Sequence, residues 1–476
     1  MPSLRRAWCT VVCALSLPLA AHAQPREVHI LSANDMHATI GAFPQLAAIA
    51  DSLRTLYPSL LVLSAGDNRT GNPLNDKYEI PGYPMVALMN TVGFNASAVG
   101  NHEFDVCSLA RLTGLSAFRY LCANMFPSDS TGIRTLPYQV FDVEGLKVGI
   151  VGAIQLSPKG LPSTHPDNLR GIRFVPAKDI IGQYEWLHEQ CDVTILLSHV
   201  GYDDDVELAR TFPWLDLIVG GHTHTQLTGD ERPAGVLVTQ NKNKLPRVTH
   251  ITLTVDSGRI VDKQAEYIDV KAFPRKNSVV EAMVQYFSDN PDFQRVLAQA
   301  ETPFEDREEL GCLMCDAFID EFNADMAVEN PGGVRIDSHP AGDITIRDVL
   351  EMDPFDNNAV LLTLNGEELV TMMMSYCHGT LRSFPYIGGF LCELTLDPEN
   401  PKKIAGVKLF DTNGKPLNMH RKYRVVTNSY ITATSQLPKG AAHPLNNQTT
   451  DLIMHYLEKQ GSVNYQGVRR LIVKRQ

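Results

Sequence analysis

Positive charge is scarce in this chain: Lys and Arg total 42 against 54 Asp and Glu, a formal net charge of −12 at pH 7. That balance excludes a nucleic-acid polymer as partner, because neutralising phosphates along a strand needs clustered cations. A small anionic ligand remains compatible if its pocket carries cations of its own. Long apolar runs are missing beyond the N-terminus, so no membrane-spanning helix is expected. Internal repeats and low-complexity tracts are missing as well. So is a disulfide framework: past residue 23 the cysteines are Cys107, Cys122, Cys191, Cys312, Cys315, Cys377 and Cys392, odd in number and scattered in spacing. Cys312-Leu-Met-Cys315 has the spacing of a redox or zinc pair. It lies in the helical pattern LGCLMCDAFID, with no second Cys or His pair behind it, so two small core-facing side chains are expected.

What is present begins with MPSLRRAWCTVVCALSLPLAAHAQ. Arg5 and Arg6 head an apolar run, and Ala21-His22-Ala23 offers small residues before a cut at Gln24. This reads as a secretory signal over residues 1–23, too short and wrongly flanked for a membrane anchor. Val12 before Cys13 does not make a lipid-attachment site. The expectation is a soluble mature protein, periplasmic or secreted.

The first half alternates two periodicities. EVHILSAND, SLLVLSAGD, FNASAVG, LKVGIVGAI, VTILLSHV and LDLIVGG read as strands. FPQLAAIADSLRTLY, PMVALMNTV and AKDIIGQYEWLHEQ read as helices. Apolar strands linked by helices predict an α/β sheet covered on both faces. VTHITLTVDSGRIVDKQAEYI reads instead as a hairpin turning at Asp256-Ser257-Gly258. A polar segment with a helical stretch, VVEAMVQYF, then separates this half from a second mixed α and β region. The expected divisions are a catalytic domain over 24–270, a linker helix within 271–300 and a C-terminal domain over 301–476.

Five strands of the first half end in the same kind of residue. Their ends carry Asp35 and His37, Asp67, Asn101 and His102, His199, and His222 with His224. Open α/β sheets place ligands where strands end. Carboxylates, imidazoles and an amide oxygen form the mixed N and O set that Zn, Mn or Fe accepts. Each piece alone has a bland explanation: Asp-x-His as a cap or turn, His199 as a hydrogen-bonded core histidine, Asn101 as a helix cap. His-x-His places both imidazoles on one face if the backbone stays extended. Recurrence at five successive strand ends favours a shared metal site over five coincidences.

These strings carry a resemblance. D-x-H, G-D, G-N-H-E, S-H and G-H-x-H, in this order, resemble the calcineurin-like metallophosphoesterase superfamily. GDNRTGN, VGNHEFD and VGGHTHT, with ENPGGVR, GDITIRDVLEMDPF and YRVVTNSY in the second half, resemble its 5′-nucleotidase family, which includes bacterial UDP-sugar hydrolases. The resemblance implies a two-domain α/β chain. Its N-terminal metallophosphoesterase β-sandwich is flanked by helices and followed by an α/β 5′-nucleotidase domain that binds substrate and rotates it to the metals. It implies two divalent ions, Zn, Mn, Co or Fe. Asp35, His37, Asp67 and His224 would hold one; Asp67, Asn101, His199 and His222 would hold the other. Such a pair acidifies a bound water for in-line attack on phosphorus. His102 would stabilise the phosphoryl charge or protonate the leaving oxygen, with Asp105 setting its tautomer. Glu103 is left outside this set, either as a support behind the ligands or as a local hydrogen-bond acceptor, and Gly100 as the residue that lets the backbone turn tightly.

In the second half the resemblance implies that Asn330 contacts a base, Arg335 an anionic part of the substrate, and Phe355 one face of the base, with Arg307 as a further cation. Core packing and a simple Pro-Gly-Gly turn are the bland alternatives for Phe355 and its neighbours. Family members follow TN with an aromatic and Gly-Gly-Asp-Gly. This chain reads TNSYITATSQLPKG, so Tyr430 takes the ring's place one residue later and no acid follows. The expected activity is phosphate release from nucleoside 5′-monophosphates. The alternatives are cyclic nucleotides, nucleotide sugars or other phosphoesters on the same metals, and a non-catalytic metal- or nucleotide-binding protein.

Overall fold

The computed structural model describes residues 25–105 and 108–474, so the expected signal segment and Cys107 lie outside the described residues. The first half forms two sheets. Strands β1 (Arg26–Ala33), β2 (Leu61–Ser64), β3 (Ala96–Ala98) and β4 (Arg119–Leu121) run parallel in that order. Strands β5 (Tyr138–Val143), β6 (Leu146–Ile154), β7 (Val193–His199), β8 (Leu217–Val219) and β9 (Leu237–Thr239) make the second sheet, with β6 to β9 parallel. Strand β10 (Arg247–Asp256) returns antiparallel to β1 and pairs with β11 (Arg259–Asp269). That hairpin turns through Ser257 and Gly258, both at positive φ, the two-residue geometry that suits twisted strands.

The two sheets face each other, the helix-flanked β-sandwich that the resemblance implies; periodicity alone offers only a sheet covered on both faces, whether by helices or by a second sheet. Ile30, Leu63 and Ala98 meet Ile150, Ile195 and Leu217 in an apolar layer between them. The opposite faces are helix-covered. Leu31 and Val62 pack under helices α1 (Phe43–Leu56) and α2 (Tyr83–Val92), while Leu196 and Ile218 pack under α3 (Tyr202–Thr211). Strands apolar on both sides are needed in either arrangement, so the pattern alone could not choose.

Helix α4 (Ser278–Ser288) buries Val280 and Phe287 in the same core as α1. The segment AKDIIGQYEWLHEQ is not one helix. It is helical over Ala177–Ile180 and Trp186–Gln190, with a 3-10 turn at Ile181–Tyr184 between. Gly182 weakens the middle, since glycine favours a helix interior by about 1 kcal/mol less than alanine.

In the second half a five-stranded sheet orders β14 (Tyr386–Gly388), β12 (Met326–Glu329), β15 (Lys422–Asn428), β13 (Asn358–Asn365) and β16 (Ala442–Gln448). Helices α5 (Arg307–Phe322) and α7 (Thr449–Gln460) cover one face through Leu310, Phe318 and Leu452, and α6 (Gly366–Tyr376) covers the other through Leu369 and Met372. Cys312 and Cys315 lie within α5, buried, and burial pushes the Cys312 thiol up to about 12. They are packing residues, as the helical pattern predicts. Among the described residues no helix is long and apolar enough to cross a membrane.

Candidate functional site

The C-terminal ends of β1, β2, β3, β7 and β8 open on one edge of the sandwich, and the loops beyond them are wound tightly together. Asp35 and His37 follow β1, Asp67 follows β2, Asn101 and His102 follow β3, His199 ends β7, and His222 and His224 follow β8. Asp35, His37, Asp67, His222 and His224 all take positive φ, between 44° and 74°. The extended backbone that would put both imidazoles of His-x-His on one face is therefore absent. His224 reaches Asp35 and His37, whereas His222 reaches Asn101, so the two rings serve two neighbouring groups.

Donor atoms crowd into those groups. Asp35, His37 and His224 bring ligand atoms within 4.8 Å of one another, as do Asp67, His199 and His222, and a third set joins His37, Asp67 and His102. His224 Nε2 stands 3.3 Å from Asp35 Oδ1 and 3.3 Å from His37 Nε2. His222 Nδ1 lies 3.0 Å from Asn101 Oδ1. The outer ring nitrogens are spoken for: His199 Nδ1 donates to the Ala65 carbonyl at 2.6 Å and His37 Nδ1 to that of Thr70 at 3.1 Å. The tautomers follow, with each Nε2 lone pair directed inward. His199 Nε2 is fully buried and makes no hydrogen bond, although Asp67 Oδ2 is 3.1 Å away. Two buried acceptors this close need positive charge between them, a proton on Nε2 or a metal ion.

The electrostatics agree. Burial, then the neighbouring His199, pushes His222 down to about 3, and burial with Arg335 holds His37 well below the usual imidazole range. Burial opposes charge on His199 too, but Asp67 overrides it and lifts that imidazole to about 10. Carboxylates this enclosed recruit positive charge, from a proton or from a metal ion.

Glu103 proves to be the organiser of the loops. Fully buried, it accepts from the backbone N–H groups of Asp67, Asn68 and Gly100 at 3.0, 2.8 and 2.6 Å. Gly100 has an ordinary φ of −94°, so a tight turn is not what requires glycine there. Proximity is: a Cβ would lie 2.2 Å from Asp67 Oδ1. Asn34 holds Asp35 from behind, its Nδ2 donating to Oδ2 at 2.7 Å.

His102 stands over the donor groups. Its backbone N–H donates to Asp67 Oδ1 at 2.8 Å, and its Nδ1 meets Asp105 Oδ2 at 2.5 Å. A cleft of about 740 Å³ opens beside it, walled on the far side by the second half of the chain. Arg335 reaches across, Nη2 lying 3.1 Å from His37 Nε2. The Phe355 ring stacks on His102 at 5.9 Å, tilted 29°, and also lies 5.9 Å from the Arg335 guanidinium. Tyr430 faces the cleft in edge contact with Tyr376 at 6.4 Å. Asn330 borders the cleft but is 4 % exposed, its amide 2.7 Å from that of Asn428. Arg307 is also on the wall, paired with Asp337 at 2.7 Å. Tyr376, Arg382 and the loop residues Ser163 and Thr164 line the same space, and no motif in the sequence marks them.

Known proteins match on both halves. Residues 28–226 match the calcineurin-like phosphoesterase family and residues 284–436 the 5′-nucleotidase C-terminal domain. Protein UshA of Yersinia enterocolitica is 28% identical over 434 residues, covering 78% of this chain and 76% of its own. A 5′-nucleotidase of Vibrio cholerae is 27% identical over 481 residues, 85% and 83% of the two chains. The crystal structure of a 5′-nucleotidase precursor from Thermus thermophilus superposes with a TM-score of 0.82 at 24% identity, over 94% of this chain and 99% of that one. Fold, motifs and relatives together place the chain in the 5′-nucleotidase family of the calcineurin-like metallophosphoesterases, a family of phosphoester hydrolases.

Proposed function

We propose that the protein releases phosphate from nucleoside 5′-monophosphates, using two divalent ions held at the ends of β1, β2, β3, β7 and β8. The observation that carries the reading is the inward-facing donor set, above all the buried Nε2 of His199 facing Asp67 Oδ2 at 3.1 Å. Asp35, His37, Asp67 and His224 would hold one ion, Asp67, Asn101, His199 and His222 the other, with Asp67 shared. Ions bound there supply an acidified water and counter-charge for the phosphoryl oxygens. The protein's own groups do the rest. Asp105 holds the Nδ1 proton of His102 and leaves Nε2 for the ester. Arg335 brings positive charge into a cleft of an otherwise acidic molecule. Phe355 and Tyr430 offer flat apolar surface for a base, and Asn330 an amide at its edge. The site lies outside the cytoplasm if the expected N-terminal signal is read and removed.

A second reading keeps the site and changes the ester to a nucleotide sugar, a cyclic nucleotide or another phosphoester. One observation favours it. The acid of the family pattern has no counterpart in TNSYITATSQLPKG, and at the position of the pattern's ring Ser429 Oγ donates to Asn357 Oδ1 at 3.0 Å, so a nucleoside would be met by a different set of groups here. The deciding experiment strips the protein of metal, restores Mn, Zn, Co or Mg, and follows phosphate release from AMP, UDP-glucose, cyclic AMP and an aryl phosphate. Metal-dependent release from AMP is expected. Turnover of the aryl ester with none of any nucleotide overturns the nucleotide reading, and no turnover of any ester leaves a binding protein.

A further inference from the structure

One loop touches both halves of the Asn101–Asp105 segment. It leaves β6 at Gln155, whose backbone N–H donates to the carbonyl of His199 at 2.9 Å. Its root is therefore tied to the last residue of β7. Ser163 Oγ donates back to Gln155 Oε1 at 3.1 Å, closing the loop on itself. The Ser163 carbonyl accepts from Asn101 Nδ2 at 3.0 Å, which leaves Asn101 Oδ1 turned toward His222. The next residue does the corresponding service for His102. Thr164 Oγ1 donates to Asp105 Oδ1 at 2.8 Å, while the other carboxylate oxygen, Oδ2, meets His102 Nδ1 at 2.5 Å. Thr164 is 5 % exposed, so water does not replace its hydroxyl readily.

A carboxylate bound through one oxygen alone can turn about its Cβ–Cγ bond and loosen its partner. Tying the second oxygen removes that freedom, and a second-layer hydrogen bond of this kind holds an imidazole in one orientation and one tautomer. We propose that Thr164 is a positioning residue: its hydroxyl clamps Asp105 so that the His102 ring is presented to the ester. The inference rests on the reading above, in which His102 acts on the phosphoester.

The test compares Thr164→Val, which keeps the shape and removes the hydroxyl, with Thr164→Ser, which keeps the hydroxyl. Three quantities are measured on the metal-loaded protein: kcat and KM for phosphate release, bound metal, and the downfield proton resonance of His102 Nδ1. For Thr164→Val, kcat is expected to fall roughly tenfold, short of the ~10²–10⁴-fold loss on removing an acid–base group outright. KM and metal content stay at the parent's values, and the Nδ1 proton moves upfield or broadens. Thr164→Ser restores both the rate and the resonance. A Val variant with parental kcat and an unmoved resonance overturns the proposal. Equal losses in both variants, with a lower melting temperature, overturn it as well by assigning Thr164 to packing. If the parent releases no phosphate from any ester, the proposed activity fails, while the resonance still decides whether the clamp exists.

Discussion

Seven non-glycine residues around the donor groups, Asp35, His37, Ala38, Asp67, Thr70, His222 and His224, sit in the left-handed region, where an L-residue is disfavoured by roughly 1–2 kcal/mol. Strain gathered at one place is held there by the surrounding contacts, and Glu103 with its three backbone donors is the clearest of them. His102→Ala should lose roughly 10²–10⁴-fold in kcat yet keep its metal, because the residues proposed to hold the two ions do not include it and its Nδ1 is taken by Asp105. Metal analysis beside steady-state rates checks this, and loss of metal in the variant contradicts the division of roles. Asp205 tests the region behind the site. Burial pushes its carboxyl up to about 8; one oxygen accepts from Ser198 Oγ at 2.5 Å and the other has no partner. The folded protein therefore binds a proton that an unfolded carboxylate, at pKa ~3.9, gives up earlier. Stability from this group is full below that lower value and is lost as pH rises through about 8. Asp205→Asn should gain in urea midpoint over the parent across that window and level off above it; parallel pH curves for the two proteins would refute the assignment.

At the scale of elements, strand and helix placement follows from periodicity, but partners do not. The inner strands of the sandwich are apolar on both sides, and Ile30 and Leu31 face different layers although they are neighbours. Which layer is helix and which is sheet depends on residues more than a hundred positions away. Helix α4 makes the same point. Its polar flanks read as a linker, yet Phe287 is 7 % exposed and meets Tyr78 edge-on at 5.5 Å. If the helix is part of the first core, Phe287→Ala should cost ~3–5 kcal/mol in a urea titration, whereas a bare connector would lose almost nothing.

For the whole molecule, the cleft exists only because the two halves meet. Lys77 pairs with Asp356, Lys244 Nζ donates to the Arg335 carbonyl at 2.8 Å, and Arg335 itself reaches His37. Phe355 is thereby brought against His102. Phe355→Ala should raise KM for nucleotides by roughly five- to 150-fold, the equivalent of ~1–3 kcal/mol for a base stacked on an aromatic ring, with little change toward an aryl phosphate. Equal effects on both substrates would mean that the ring packs against the site and does not bind a base. Chelation should abolish phosphate release and lower the melting temperature, since an ion bound only by the folded state stabilises it. Restoring a divalent ion should reverse both; an unchanged melting temperature would argue against an ion at these donors.

By itself the sequence determined which side chains stand at the strand ends, because a strand's apolar run must stop where polar residues begin. Asp35, His37, Asp67, Asn101, His102, His199, His222 and His224 were all legible in that way. It also marked the Ser257-Gly258 turn and the burial of Cys312 and Cys315. Only the tertiary structure decided how these residues face one another. The divergence of His222 from His224, the service of Glu103 to three backbone amides, the contact of Phe355 with His102 and the reach of Thr164 to Asp105 all join residues whose local patterns carry no sign of the partner. Local periodicity records whether a side chain is buried; what it is buried against is settled by long-range packing.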